Sequence, residues 1–174
     1  MAGSRYDDGM LSRPTSAEPV LRRLRVLSAV ALATFVLVIA VITLWPGPPD
    51  PDGQTWLRSL LRHGADYGIP AWVTFGRVEF ASNIVMFVPV GFFGALTLAR
   101  HRWLIVPAAA IASAAIETIQ AMALPLRYGS VRDVISNTLG AIVGYVLAAA
   151  VVAVVLRRAR RAAPAPSVPA AAYR

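Results

Sequence analysis

Between Val26 and Trp45 the chain runs for twenty residues without a charged side chain, directly after Arg22, Arg23 and Arg25. At about 1.5 Å of rise per residue, a helix of that length crosses a hydrocarbon layer of about 30 Å. Inside such a layer each backbone polar group must find its partner within the protein, which for a single run of this length means an α-helix. The preceding arginines resemble the charged start of a signal peptide. The apolar run is too long for that role, however, and Trp45-Pro46-Gly47-Pro48-Pro49 offers no small-residue cleavage site. The segment reads as an uncleaved first transmembrane helix.

Three further segments have the same character. One runs from about Ala81 to Ala99, interrupted by Pro89, Gly91 and Gly94, which membrane helices tolerate because neighbouring groups re-satisfy the backbone. Another runs from Trp103 to Leu124 with a single charge, Glu117. The last extends from about Val134 to Leu156 and ends against Arg157, Arg158, Arg160 and Arg161. The expected fold class is therefore all-α: a polytopic membrane bundle of four transmembrane helices at about 26–45, 81–99, 103–124 and 134–156. Composition agrees, since only 15% of residues are charged, against about 25% in a soluble domain.

Formal net charge is +8, and all seventeen basic residues are arginine. They cluster beside the apolar runs, which makes them an orienting signal for a membrane protein and not a nucleic-acid surface. One side of the expected bundle holds Arg5, Arg13, Arg22, Arg23, Arg25, Arg100, Arg102, Arg157, Arg158, Arg160, Arg161 and Arg174. The other holds Arg58, Arg62, Arg77, Arg127 and Arg132. The positive-inside rule places the richer side, and with it both termini, in the cytoplasm. Residues 1–21 and the basic, Ala/Pro-rich 158–174 are expected to be disordered cytoplasmic segments flanking a membrane domain over 22–157. In the long outer loop, Trp56, Leu57, Leu60 and Leu61 share one helical face over Thr55–Arg62. That stretch fits either a short helix lying on the outer leaflet or a loop helix packed on the bundle.

Several chemistries are closed to this sequence. It has no cysteine, and its two histidines, His63 and His101, lie far apart without a ligand-spaced partner, so neither a metal nor a cofactor is expected. No Gly-rich phosphate loop, nucleophile elbow or kinase signature occurs. Small residues do recur with helical spacing: Ser136, Gly140, Gly144 and Ala148 in the last span, and Gly91, Ala95 and Ala99 in the second. Such ridges are the usual close-contact surfaces of helices in lipid. The partner is another helix of the chain or a second copy, so a homo-oligomer is one expectation.

Polar residues within the spans fall at one depth. Glu117 and Gln120 share a face near the outer end of the third span. Asp133 and Asn137 open the fourth, Glu79 and Asn83 open the second, and Arg77 and Arg127 stand just above. An ionised carboxylate at membrane depth costs at least about 2.5–3.5 kcal/mol, so Glu117 must face the interior, be paired, or be protonated. The cluster reads either as a polar clamp that fixes helix register or as a site open to the outer leaflet.

Three stretches then carry a family resemblance. Ser82-Asn83-Ile84-Val85-Met86-Phe87-Val88-Pro89-Val90-Gly91, Ile116-Glu117-Thr118-Ile119-Gln120, and Arg127 with Ser130 and Asp133-Val134-Ile135-Ser136-Asn137-Thr138-Leu139-Gly140 resemble, in order and spacing, the motifs of the VanZ-like membrane proteins. The resemblance implies a small multi-pass protein of the bacterial plasma membrane, in a family named for a member associated with teicoplanin resistance. Its recurrent polar positions would be Asn83, Glu117, Gln120, Arg127, Asp133 and Asn137. One departure is Arg132, directly before Asp133, where the family often carries an acidic or small residue. The resemblance supplies no reaction. Three functions remain open: an envelope protein that binds a lipid-linked precursor or glycopeptide, an intramembrane enzyme acting on an envelope lipid, and a structural or partner-binding bundle.

Overall fold

The computed structural model describes residues 18–44, 51–123 and 130–162, and every regular element among them is helical. In chain order these are α1 (Glu18–Leu44), α2 (Pro51–Arg62), a 3₁₀ turn at Gly64–Tyr67, α3 (Phe75–Leu98), a second 3₁₀ turn at Ala99–Leu104, α4 (Ile105–Ala123) and α5 (Val131–Ala162). Three stretches are long and apolar enough to cross a membrane: Arg22–Leu44, Phe75–Ala123 and Val131–Arg158, with mean hydropathies of 2.7, 1.7 and 2.7. The middle stretch contains two helices. Ala99 takes φ +43° and His101 leaves helical geometry, and Ile105 at the start of α4 packs back against Gly94 of α3.

The packing is inverted relative to a water-soluble core. The largest side chains with almost no exposure are Ser113 and Ser136, and Ala141 and Ala148 are buried with them. Leu27, Val30, Leu37, Val85, Ile111, Val146 and Val155 point outward. In water that arrangement would forfeit the burial of apolar area that drives folding. In lipid, close packing of small residues drives helix association and large apolar residues face the acyl chains.

The two small-residue ridges meet each other. A methyl group at Gly91 would collide with the backbone of Ala141, one at Gly140 with the Ile84 carbonyl and the Phe87 Cβ, and one at Gly144 with the backbone of Val88 and Phe92. α3 and α5 therefore touch backbone to backbone, and α3 runs through Pro89 without a break. The seam is filled within the chain. Ile39, Phe87, Val90, Ala109 and Ala141 form the central cluster joining α1, α3, α4 and α5. Phe35 stacks on Phe93 at 5.8 Å between ring centroids.

Several boundaries move. α3 begins at Phe75, six residues before its apolar run, because the Phe75–Phe80 turns already lean on α2 and α5. The start of α1 at Glu18 and the end of α5 at Ala162 carry helix beyond the apolar stretches, so 18–21 and 158–162 are helical where disorder was expected. Arginine and alanine, which make up 158–162, are strong helix formers, and Pro19 falls in the first turn of α1, where its missing N–H costs nothing. The remaining expected disordered residues, 1–17 and 163–174, lie outside the described residues, as do Trp45 and Arg127. In α2, Leu57, Leu60 and Leu61 are half-buried while Trp56 is exposed. Arg58 lies over the Phe75 ring at 3.9 Å, so the helix is tied to the bundle at the first turn of α3.

Candidate functional site

At the arginine-poor end, the polar residues of the spans become links between helices. Asn83 of α3 donates from Nδ2 to Oδ1 of Asp133 on α5 at 3.0 Å. One turn deeper on α5, Asn137 donates from Nδ2 to the Ser113 hydroxyl of α4 at 2.9 Å. Gln120 of α4 donates to the Thr43 carbonyl near the end of α1 at 2.8 Å. Glu117 accepts the Ser130 backbone N–H on Oε2 at 2.7 Å, and Ser130 is where α5 starts, its carbonyl accepting from Asp133 and Val134. The four bonds join α3 to α5, α4 to α5, α4 to α1, and α4 to the loop that feeds α5.

Each bond has a local cause. A helix start leaves backbone N–H groups without intrahelical partners and carries a partial positive charge. Glu117 supplies an acceptor there, and Asp133 in the first turn of α5 adds a favourable negative charge. Asn137 is needed because the Ser113 hydroxyl lies in a fully buried position, where an unmatched polar group is costly. Ser136, also fully buried, turns its hydroxyl back to the Asp133 carbonyl at 3.0 Å.

Glu117 and Gln120 share a helix but serve different neighbours, so the single shared direction expected for them resolves into two: Glu117 toward the start of α5, Gln120 toward α1. Glu79 is exposed and does not join the layer. Arg77 is also exposed and donates to the Trp72 carbonyl at 2.6 Å. Arg127 lies outside the described residues. Ser113 and the Thr43 carbonyl are members the sequence reading missed. Ser113 stands four residues before Glu117 and seven before Gln120, a helical spacing that an alanine-rich run conceals.

One buried acceptor in the layer has no hydrogen-bond partner among the described residues. It is Oδ1 of Asn137, a residue 6% exposed. The Asp133 carboxylate stands half-buried one turn above. Around them stands a rim of arginines on aromatic rings: Arg132 over Phe80 at 5.2 Å, with its guanidinium also against Gly76, and Arg58 over Phe75. Arg58 and Arg62 border a groove of about 350 Å³ between α2 and the segment leading into α3. Exposed Trp56, Tyr67 and Trp72 ring this end, and Trp103 stands at the other, as aromatic belts do at the two interfaces of a bilayer.

Comparisons with curated proteins and with solved structures find no match. A family model described as VanZ/LLP1 matches residues 32–154, a span that contains the glycine seam and all of the interhelical links. By that match, and by the helices and polar motifs it encloses, the chain belongs to the VanZ/LLP1 family.

Proposed function

We propose that this is a four-span protein of the bacterial plasma membrane with both termini in the cytoplasm. Its polar layer then faces the outer leaflet and receives the head group of an amphiphilic envelope molecule, a lipid-linked cell-wall precursor or a glycopeptide such as teicoplanin. The observation that carries this reading is Asn137 Oδ1, a buried acceptor with no hydrogen-bond partner among the described residues, one turn below the half-buried Asp133 carboxylate. Such an acceptor calls for a ligand rich in O–H and N–H donors, as sugars and peptides are. The arginine rim suits phosphate or carboxylate groups, which guanidinium binds in bidentate fashion. A contribution to teicoplanin resistance follows if binding withholds either molecule from the other.

The test is teicoplanin susceptibility in a deletion strain expressing wild type, Asp133→Asn or Glu117→Gln, with membrane levels matched by blotting. Wild type is expected to raise the inhibitory concentration and Asp133→Asn to lose most of that gain. Equal concentrations in all strains would overturn the resistance role. A structural reading has its own support, because Asn83, Asn137, Gln120 and Glu117 each bond a neighbour in the chain. It predicts that Asp133→Asn changes protein abundance before it changes any phenotype.

A further inference from the structure

The opposite end of the bundle holds a groove of about 450 Å³ between α1, α3 and α5. Its floor is Ala95 and Ala148, both buried, and its walls include Leu24, Val152 and Leu156. The groove exists because the α3–α5 seam continues past Gly91 and Gly144 in alanines, too short to fill the space beside α1. Arg25 and Arg102 line it as well. Arg102 donates from Nε to the Ala99 carbonyl at 3.0 Å, which fixes the guanidinium against the turn between α3 and α4 and leaves its terminal N–H groups for another acceptor.

No carboxylate is described near the groove. The acidic residues whose side chains are described, Asp66, Glu79, Glu117 and Asp133, all belong to the other end of the bundle. Arg22, Arg23, Arg25, Arg100, Arg102, Arg157, Arg158 and Arg161 therefore gather without an acidic partner among the described side chains. Basic pockets between transmembrane helices are suited to anionic lipid head groups. An inserted peptide would need its own backbone satisfied in that apolar space, whereas an acyl chain has no such requirement.

We propose that this groove binds an anionic phospholipid, one acyl chain lying on the Ala95–Ala148 floor and the phosphate held between Arg25 and Arg102. The site depends on the chain spanning a membrane but is independent of the head-group layer at the far end. It is tested by native mass spectrometry of the purified full chain in detergent, titrated with phosphatidylglycerol or phosphatidylcholine. Wild type should retain phosphatidylglycerol at least fivefold better than phosphatidylcholine. The Arg25→Gln/Arg102→Gln variant should fall to the phosphatidylcholine level, and Val152→Trp, which fills the groove, should lose both lipids. Arg25→Lys/Arg102→Lys should keep most of the preference, reporting a folded site. Asp133→Asn should retain lipid as wild type does, so failure of the head-group reading leaves this result intact. Equal retention of the two lipids would overturn the proposal. So would full retention by Val152→Trp, an equal loss in a control Arg158→Gln/Arg161→Gln variant (a diffuse arginine collar), or displacement of the lipid by inorganic phosphate (a simple anion site).

Discussion

At one end of the bundle, carboxylates and amides bond α1, α3, α4 and α5 to one another, and arginines rest on aromatic rings or donate to a backbone carbonyl. At the other end no described carboxylate is present, and two arginines border an apolar groove with a floor of alanines. Both ends carry positive charge, yet they use it differently. Where charged and polar groups are bonded within the chain they fix which residues of neighbouring helices stand level. Where arginines border an apolar furrow with no described carboxylate beside them, they are available to a group from outside the chain. The glycine seam between α3 and α5 connects the ends and holds them in one geometry.

That seam gives the largest expected effect. Gly144→Ala places a methyl group against the backbone of Val88 and Phe92, and backbone cannot rotate away as a side chain can. The expected cost is about 3 kcal/mol, the upper part of the usual overpacking range. Thermal unfolding in detergent should shift strongly downward, and both ends should fail together: weaker lipid retention and weaker glycopeptide phenotype. Ala150→Val, on an exposed position of the same helix, should leave the melting temperature nearly unchanged. If the two variants melt alike, the seam is not what joins the ends.

A second, smaller effect isolates the polar end. Asn137→Ala and Ser113→Ala should each cost about 0.6 kcal/mol, the average for interhelical hydrogen bonds in membranes, and at most about 1.7 kcal/mol. The double variant should be no worse than the larger single one, because both remove one bond. Full additivity in the melting series would mean the two residues act separately. Neither change should alter retention of anionic lipid at the other end.

The sequence made much of this architecture legible, and its omissions have physical causes. Apolar runs without charge identify the helices because lipid leaves so few alternatives, and small residues four apart identify the ridges on α3 and α5. That the ridges face each other is a tertiary fact which spacing on one helix cannot contain. The early start of α3 was hidden because Arg77 and Glu79 interrupt the apolar pattern while Phe75 and Phe80 support the guanidinium groups of α2 and α5. That Asn83, Glu117, Gln120, Asp133 and Asn137 gather toward one end of the helices was readable from their distance to the span ends. Their partners were not, since Gln120 and Glu117 bond backbone groups, and a backbone group has no sequence signature.

Glu117 offers the next test, because an amide in its place keeps an acceptor and cannot be charged. Glu117→Gln keeps an oxygen for the Ser130 N–H but cannot carry a negative charge toward the start of α5. The charge term at a helix N-terminus is about 0.3–1 kcal/mol, so Gln should cause a small fall in melting temperature. Glu117→Ala removes the acceptor too and should cost about 1 kcal/mol more. If Gln is as damaging as Ala, the charge and not the bond positions α5, and Glu117 must be ionised in the folded protein.

The smallest expected effect concerns the rim. Arg58 over Phe75 is an exposed cation–π contact, worth about 0.5–1 kcal/mol. It links α2 to the first turn of α3 and does not contribute to the interhelical polar bonds. Arg58→Ala should therefore speed proteolysis within the 51–74 segment about threefold, a change of about 0.65 kcal/mol at 1.4 kcal/mol per tenfold, with almost no change in global melting temperature. Arg58→Lys, which keeps the cation on a less planar group, should recover part of the protection. A large fall in melting temperature would instead make α2 an integral part of the bundle. In that case the polar end would be held from above by the loop helix as well as from within by the bonds to α5, and the contrast with the open groove at the arginine-rich end would be sharper still.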